Sequence, residues 1–282
     1  MKTRNRLPLL LVVMLLGIGS LGVACGSPVE TDSGTASETD STPQSPPSKS
    51  LDELRLSAYA PLEGGEAVFY MQGWAYGFVP GERPQKLFGI EGFNIRNYVP
   101  VEDMESDLIL ASRELVFYID PTSGEPISEW SNPYNEQTVE VFHIQNDPVN
   151  FRMRRQGESF VGVSLDGSRE YGPSAPPAEW DDYFVWYADV FPFYPIPGWE
   201  KNYTAAEMFD FYVPKIGLSS DPFETMVSWT RVGPWLPWLG MDGHDGLMVY
   251  HARSRRVSSW DELPEWIRAR EGASFATPTS RQ

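Results

Sequence analysis

Apolar and polar residues alternate with a period of two along most of the chain beyond residue 65, the pattern of half-buried strands. Over about 66–79, Val68, Tyr70, Gln72, Trp74, Tyr76 and Phe78 fall on one face, and the small residues Ala67, Gly73, Ala75 and Gly77 on the other. Further strands are predicted at about 85–99 and 107–119, the latter closed by a turn with Pro121 early and Gly124 late. Three more follow at about 137–145, 149–155 and 159–165, with turns at Asn146-Asp147-Pro148, Gly157 and Asp166-Gly167. Residues 171–179 read as a loop, and Pro192 to Pro197 argue against regular structure. Strands at about 180–191, 204–216, 224–232 and 247–257 complete the series; Pro214 puts the end of its strand at an edge or bulge. A Trp- and Pro-rich loop spans 233–246. One helix is predicted to close the domain, with Ser258 or Ser259 as N-cap, Asp261 and Glu262 in its first turn, and then Leu263 to Arg270.

About ten sequential strands joined by short turns describe an antiparallel meander, an all-β fold class. Closure into a barrel-like, calycin-like sheet with a short C-terminal helix removes exposed edges, and a two-sheet sandwich is the competing architecture. A barrel of this size has room for one small ligand in its mouth.

The first 25 residues break the pattern. Lys2, Arg4 and Arg6 precede an apolar run, 7–21, that is short for a spanning helix, and small residues then lead to Cys25. This is the arrangement of a bacterial lipoprotein leader (1–25), with Cys25 as the lipidated first mature residue and the cell envelope as the destination. Cys25 is also the sole cysteine, so once it is lipidated no thiol remains for a disulfide, a nucleophile or a metal. Residues 26–50 are rich in Ser, Thr, Pro and acids with one aliphatic residue, Val29; such a stretch buries too little apolar surface to fold and reads as a tether. The expected domain is 51–270, followed by a polar tail, 271–282.

The net charge is −17, and residues 1–50 hold four basic and four acidic groups, so the charge belongs to the remainder. A surface that negative repels phosphate backbones, so nucleic acid is excluded as a partner. Ten Trp, 13 Tyr and 15 Phe favour strands and an aromatic interior.

With the bulky face of the first strand inward, Tyr70, Trp74 and Tyr76 line the interior. The same parity brings Asp210 and Tyr212, Trp229 and Arg231, and His251 together from three neighbouring strands. In that constellation His251 is a general base, Asp210 orients it, Arg231 stabilises a developing anion, and the Trp and Tyr rings hold an apolar guest. His143, alternating with Val139 and Val141, joins as a second candidate. His143 and His251 with a carboxylate are also a conceivable metal set, but no spacing such as HExxH supports it, and no metal or other cofactor is expected. Asn94, Arg96 and Arg113 fall on strands without a settled orientation. No nucleophile elbow, Walker loop or dinucleotide fingerprint occurs.

The strings LFGIEGFNIRNY (87–98), SRELVFYIDPTSGE (112–125), WSNPYNEQTVEVFHIQNDPVN (130–150), WTRVGPWLPWLGMDGHDGLMVYHARSRRV (229–257) and WDELPEWIRAR (260–270) together resemble the bacterial and fungal domain-of-unknown-function family 1838. The resemblance implies that Arg113, Asn132, His143, Asn146, Asp147, Arg231, Trp235 and His251 fall in characteristic segments. It implies no activity. The function expected from the residues is a cofactor-free lyase, isomerase or hydrolase acting on a hydrophobic or aromatic small molecule. The alternatives are a lipocalin-like carrier and an envelope interaction protein.

Overall fold

The computed structural model describes residues 49–271 except 102–103, 149, 158, 165–169, 174–175, 196–201 and 219–223. The leader, Cys25, the tether up to residue 48 and the tail from 272 lie outside the described residues. Helix α1 (Leu51–Tyr59) comes first, then strands β1 (Ala67–Phe78), β2 (Gln85–Val101) and β3 (Met104–Ile119). A small hairpin, β4 (Glu129–Ser131) and β5 (Thr138–Glu140), precedes β6 (Ile144–Pro148), β7 (Phe151–Gln156), β8 (Ser159–Val163) and β9 (Glu170–Pro173). Next are β10 (Ala178–Trp180), β11 (Tyr183–Val190), β12 (Phe193–Pro195), β13 (Asn202–Thr204), β14 (Ala206–Pro214), β15 (Met226–Gly233) and β16 (Leu247–Val257), then helix α2 (Glu265–Glu271).

Eleven strands hydrogen-bond in one antiparallel sheet, in the order β10-β11-β14-β15-β16-β1-β2-β3-β7-β8-β9, and β6 adds to β3. The fold is mostly β with a short C-terminal helix, as the alternation predicts. Among the described residues β9 and β10, the two ends of the path, do not pair, so no closed barrel is formed by these hydrogen bonds. Several local expectations are corrected. The predicted strand at 137–145 is split between β5 and β6, because hairpin β4–β5 claims its first half. Asn146-Asp147-Pro148 extends β6 instead of turning. Segment 171–179 holds strand residues at both ends, and β12 lies within 192–197. No helix among the described residues is long and apolar enough to cross a membrane.

The pattern reading also omits α1, although its signal is present. Ser50 accepts the Glu53 N–H and Glu53 Oε2 accepts the Ser50 N–H at 2.8 Å, a capping box. Leu54, Leu56 and Ala58 are buried in one cluster with Phe69, Tyr98, Phe160, Phe184 and Phe211. Polar contacts lock the helix on several sides. Arg55 Nη2 donates to Phe160 O (2.8 Å), the Tyr98 hydroxyl to Leu56 O (2.9 Å) and Arg256 Nη1 to Ser57 O (3.3 Å).

This placement reveals the shape of the sheet. Tyr59 packs edge-on to Phe211 of β14 while Arg55 reaches β8. Those strands are seven steps apart, about 34 Å in a flat sheet, whereas a helix is about 10 Å across. The sheet therefore curls around α1. Its inner face carries Phe69 and Ala75 of β1; its outer face carries Val68, Phe93, Ile95, Leu115, Phe117 and Val257, covered by Leu263 and by Ile267 of α2.

Candidate functional site

Two buried clusters share the inner face. One surrounds α1, and the other, with Phe88, Tyr118, Trp130, Trp235, Leu239 and Tyr250, lies beneath hairpin β4–β5 and the loop 233–246. Asn132 ties that hairpin to the loop by donating to Leu239 O at 2.8 Å. Between the clusters the inner face is only half-buried: Met71, Arg96, Glu114, Glu207, Phe209, Trp229 and Arg231 all keep some exposure. Inward-facing side chains that stay half-exposed between two packed cores line a hollow.

The strand register explains which side chains meet there. Phe209, Trp229, Ala252, Gly73, Ile90 and Tyr118 form one cross-strand row, and Glu207, Arg231, Tyr250 and Ala75 the next. Gly73 is needed in the first row because a Cβ there would come within 2.5 Å of Ala252 Cβ. From across the curl, Phe69, Asn94 and Glu114 form a third row. The small face of β1 therefore points inward, beneath the helix and the loops that fill the curl, and its bulky face points out.

That parity is opposite to the one expected for β1, and it separates the predicted constellation. Trp229 and Arg231 face the hollow. Tyr70, Trp74, Tyr76, Asp210, Tyr212 and His251 share the outer face: His251 is exposed, pairs laterally with Trp74 and Thr230, and sits 3.2 Å from Thr230 Oγ1. Arg231 is paired instead with Tyr250, so it and His251 project to opposite sides. Asp210 pairs with Ser228, Tyr212 lies tilted against Trp180 and edge-on to Tyr183, Tyr70 donates to Glu91, and Trp74 lies under Lys86 Nζ at 3.8 Å. His143 lies against β3, where its Nδ1 accepts the Tyr118 N–H at 3.1 Å and its ring contacts Phe117 and Tyr118. Arg113 is fully buried and bonds Ser112 O and Asn150 Oδ1.

The hollow holds four charged groups. Arg96 Nε donates to Asn94 Oδ1 at 2.5 Å, Asn94 Nδ2 donates to Glu114 Oε1 at 3.1 Å, and Arg96 stacks over Phe69 at 4.6 Å. Opposite them Arg231 Nε lies 3.6 Å from Glu207 Oε1, and its guanidinium covers the rings of Tyr203 (5.0 Å) and Tyr250 (5.6 Å). Burial, reinforced by repulsion from Glu114, pushes the Glu207 carboxyl up from 4.5 to about 7. The Arg231 contact is longer than a charge-assisted hydrogen bond and does not offset the burial. The Trp229 indole favours the charged carboxylate but makes no well-aligned hydrogen bond, leaving its buried N–H without a partner. Burial also raises Tyr118 to about 12, and raises Tyr250 well above its ordinary value.

Glu207, Glu114, Asn94 and Arg96 do not appear in the sequence constellation. The available signal is a lone Glu207 in phase with Phe209 and Phe211 on an otherwise apolar face. Among the described residues no group of three or more His, Cys, Asp or Glu side chains is placed to hold a metal ion.

Residues 64–274 match the family described as Protein of unknown function (DUF1838). The chain belongs to this family. No curated protein matches the chain, nor does any solved structure. Of the residues that the family strings draw attention to, Arg231 faces the hollow, Trp235 and Asn132 build the wall above it, and Arg113 is buried in the sheet; Asn146 and Asp147 run along β6.

Proposed function

We propose that the inner hollow binds a hydrophobic or aromatic small molecule and acts on it by proton transfer at Glu207, without a cofactor, as a lyase, isomerase or hydrolase does. The observation that carries this reading is a half-buried carboxyl with a pKa of about 7, in contact with an arginine and walled by Trp229, Phe209, Tyr250 and Tyr118. A carboxyl poised near neutrality exchanges a proton in either direction, and a neighbouring guanidinium steadies negative charge as it develops. Glu207 takes the role that the sequence reading assigned to His251.

The same hollow supports a second reading, a lipocalin-like carrier, because α1 and the loop 233–246 close the curl from two sides as a calycin barrel is closed around its guest. The barrel-like enclosure is part of this proposal. So is the location: the basic start, short apolar run and Cys25 support a lipid-anchored, extracytoplasmic protein. The test is native mass spectrometry of the protein isolated with its bound small molecule. Turnover of that compound with a midpoint near pH 7, abolished in Glu207→Gln, is the result expected of the enzyme. Retention without turnover marks the carrier, and the absence of any bound or displaceable small molecule refutes both. For the anchor, Cys25→Ala should move the protein from the membrane to the soluble fraction; unchanged membrane association refutes lipidation at that thiol.

A further inference from the structure

Arg231 is the least satisfied charged group in the hollow. Its side chain is only 17% exposed, yet its sole ionic contact among the described residues is Glu207 at 3.6 Å, and none of its N–H groups makes a hydrogen bond there. A guanidinium carries five donors in a planar fork, and a mostly buried one that uses none of them is unusual. The guanidinium lies over two aromatic rings, Tyr203 at 5.0 Å and Tyr250 at 5.6 Å, contacts that use none of its N–H donors. The other cation, Arg96, is engaged by Asn94 and attracted by Glu114.

We propose that Arg231 is the anchor for a carboxylate on the guest, so that the ligand class is an apolar or aromatic carboxylic acid bound as its anion. This rests on the reading of the hollow as a small-molecule site. Arg is the side chain whose geometry fits a carboxylate in two parallel hydrogen bonds, and the neighbouring Tyr203 and Tyr250 rings restrict its movement before the ligand arrives. The Trp229 indole N–H, buried with no well-aligned partner, lies beside Glu207 on the same inner face as Arg231. Charge agrees: with Glu207 protonated, Arg96 and Arg231 outnumber Glu114, and a monoanion restores neutrality. The rows of Phe209, Trp229 and Ile90 then take the apolar body of the acid.

The probes are 4-phenylbutyrate and decanoate, each beside its neutral amide, titrated calorimetrically into the full-length protein at pH 6. Each acid should bind about 10–100-fold more tightly than its amide, the range expected for hydrogen bonds to a charged group. Arg231→Gln should erase that preference while leaving amide binding in place, and Arg231→Lys, which keeps the charge without the fork, should restore only part of it. Equal binding of acid and amide to the unaltered protein overturns the anion site but leaves the small-molecule reading intact. Acid preference that survives Arg231→Gln places the anion elsewhere and also overturns it. Failure of all four probes to bind, or binding insensitive to Trp229→Ala, overturns the hollow as the site and the inference with it.

Discussion

Replacing Glu207 by Gln should make the protein more stable at alkaline pH and flatten the pH dependence of its stability. The folded-state pKa of this carboxyl lies near 7, against 4.5 for the free side chain. A carboxyl whose pKa is raised on folding favours the fold fully below the unfolded value, and that advantage is lost as pH rises through the folded one. The shift of about 2.5 units corresponds to about 3 kcal/mol, of which about 2.5 kcal/mol is lost between pH 5 and pH 8. Gln keeps the shape of the protonated acid without the charge. Losing the long Arg231 contact subtracts at most about 1 kcal/mol, so a net gain of about 2 kcal/mol at pH 8 remains. The assay is urea unfolding of both proteins at intervals from pH 5 to pH 8.5, comparing slopes so that carboxylates common to both cancel. Glu114→Gln, which removes the repulsion from the facing row, should lower the pH at which the Glu207 contribution is lost. Parallel curves for the unaltered protein and Glu207→Gln would refute the claim that this carboxyl is held protonated by burial.

Three further outcomes are expected. His251→Ala removes an exposed outer-face side chain, so stability should change by less than about 0.5 kcal/mol and binding in the hollow should not change; loss of binding would restore the constellation read from the sequence. His143→Ala removes the acceptor of the Tyr118 N–H and should cost about 2 kcal/mol by urea unfolding, and an unchanged midpoint would show that water replaces the imidazole. Leu54→Ala, in the buried face of α1, should cost about 3 kcal/mol and raise accessibility of the hollow to a fluorescent apolar probe; a small effect would mean that the helix does not hold the curl.

The residues of the sheet, and much of the outer cover, were legible along the chain. Period-two alternation located β1, β2, β3, β11, β14, β15 and β16 because each of these strands is long and packs on at least one face. The C-terminal helix was announced by the acidic stretch before it, although Asp261 and Glu262 form a separate 3-10 turn and α2 itself starts at Glu265. Short strands such as β4, β12 and β13 were not, since three residues carry too little pattern to stand apart from loop. α1 has an explicit capping box but no periodic signature, because a nine-residue helix contributes few apolar positions.

Alternation by itself determined that every second residue of a strand shares a face, and so that Trp229 keeps company with Arg231, and Asp210 with Tyr212. It carried no information about which face is inner. A bulky row and a small row are equally compatible with an amphipathic strand, and the choice between them is made only when the sheet curls. Tertiary structure decided it: α1 and the loop 233–246 occupy the curl, so β1 turns its glycines and alanines inward to make room, and Trp74 and Tyr76 go outside. The pairing of Glu207 with Glu114 was likewise beyond the sequence, since strands five places apart in the sheet meet only because a helix pulls its two halves around one core.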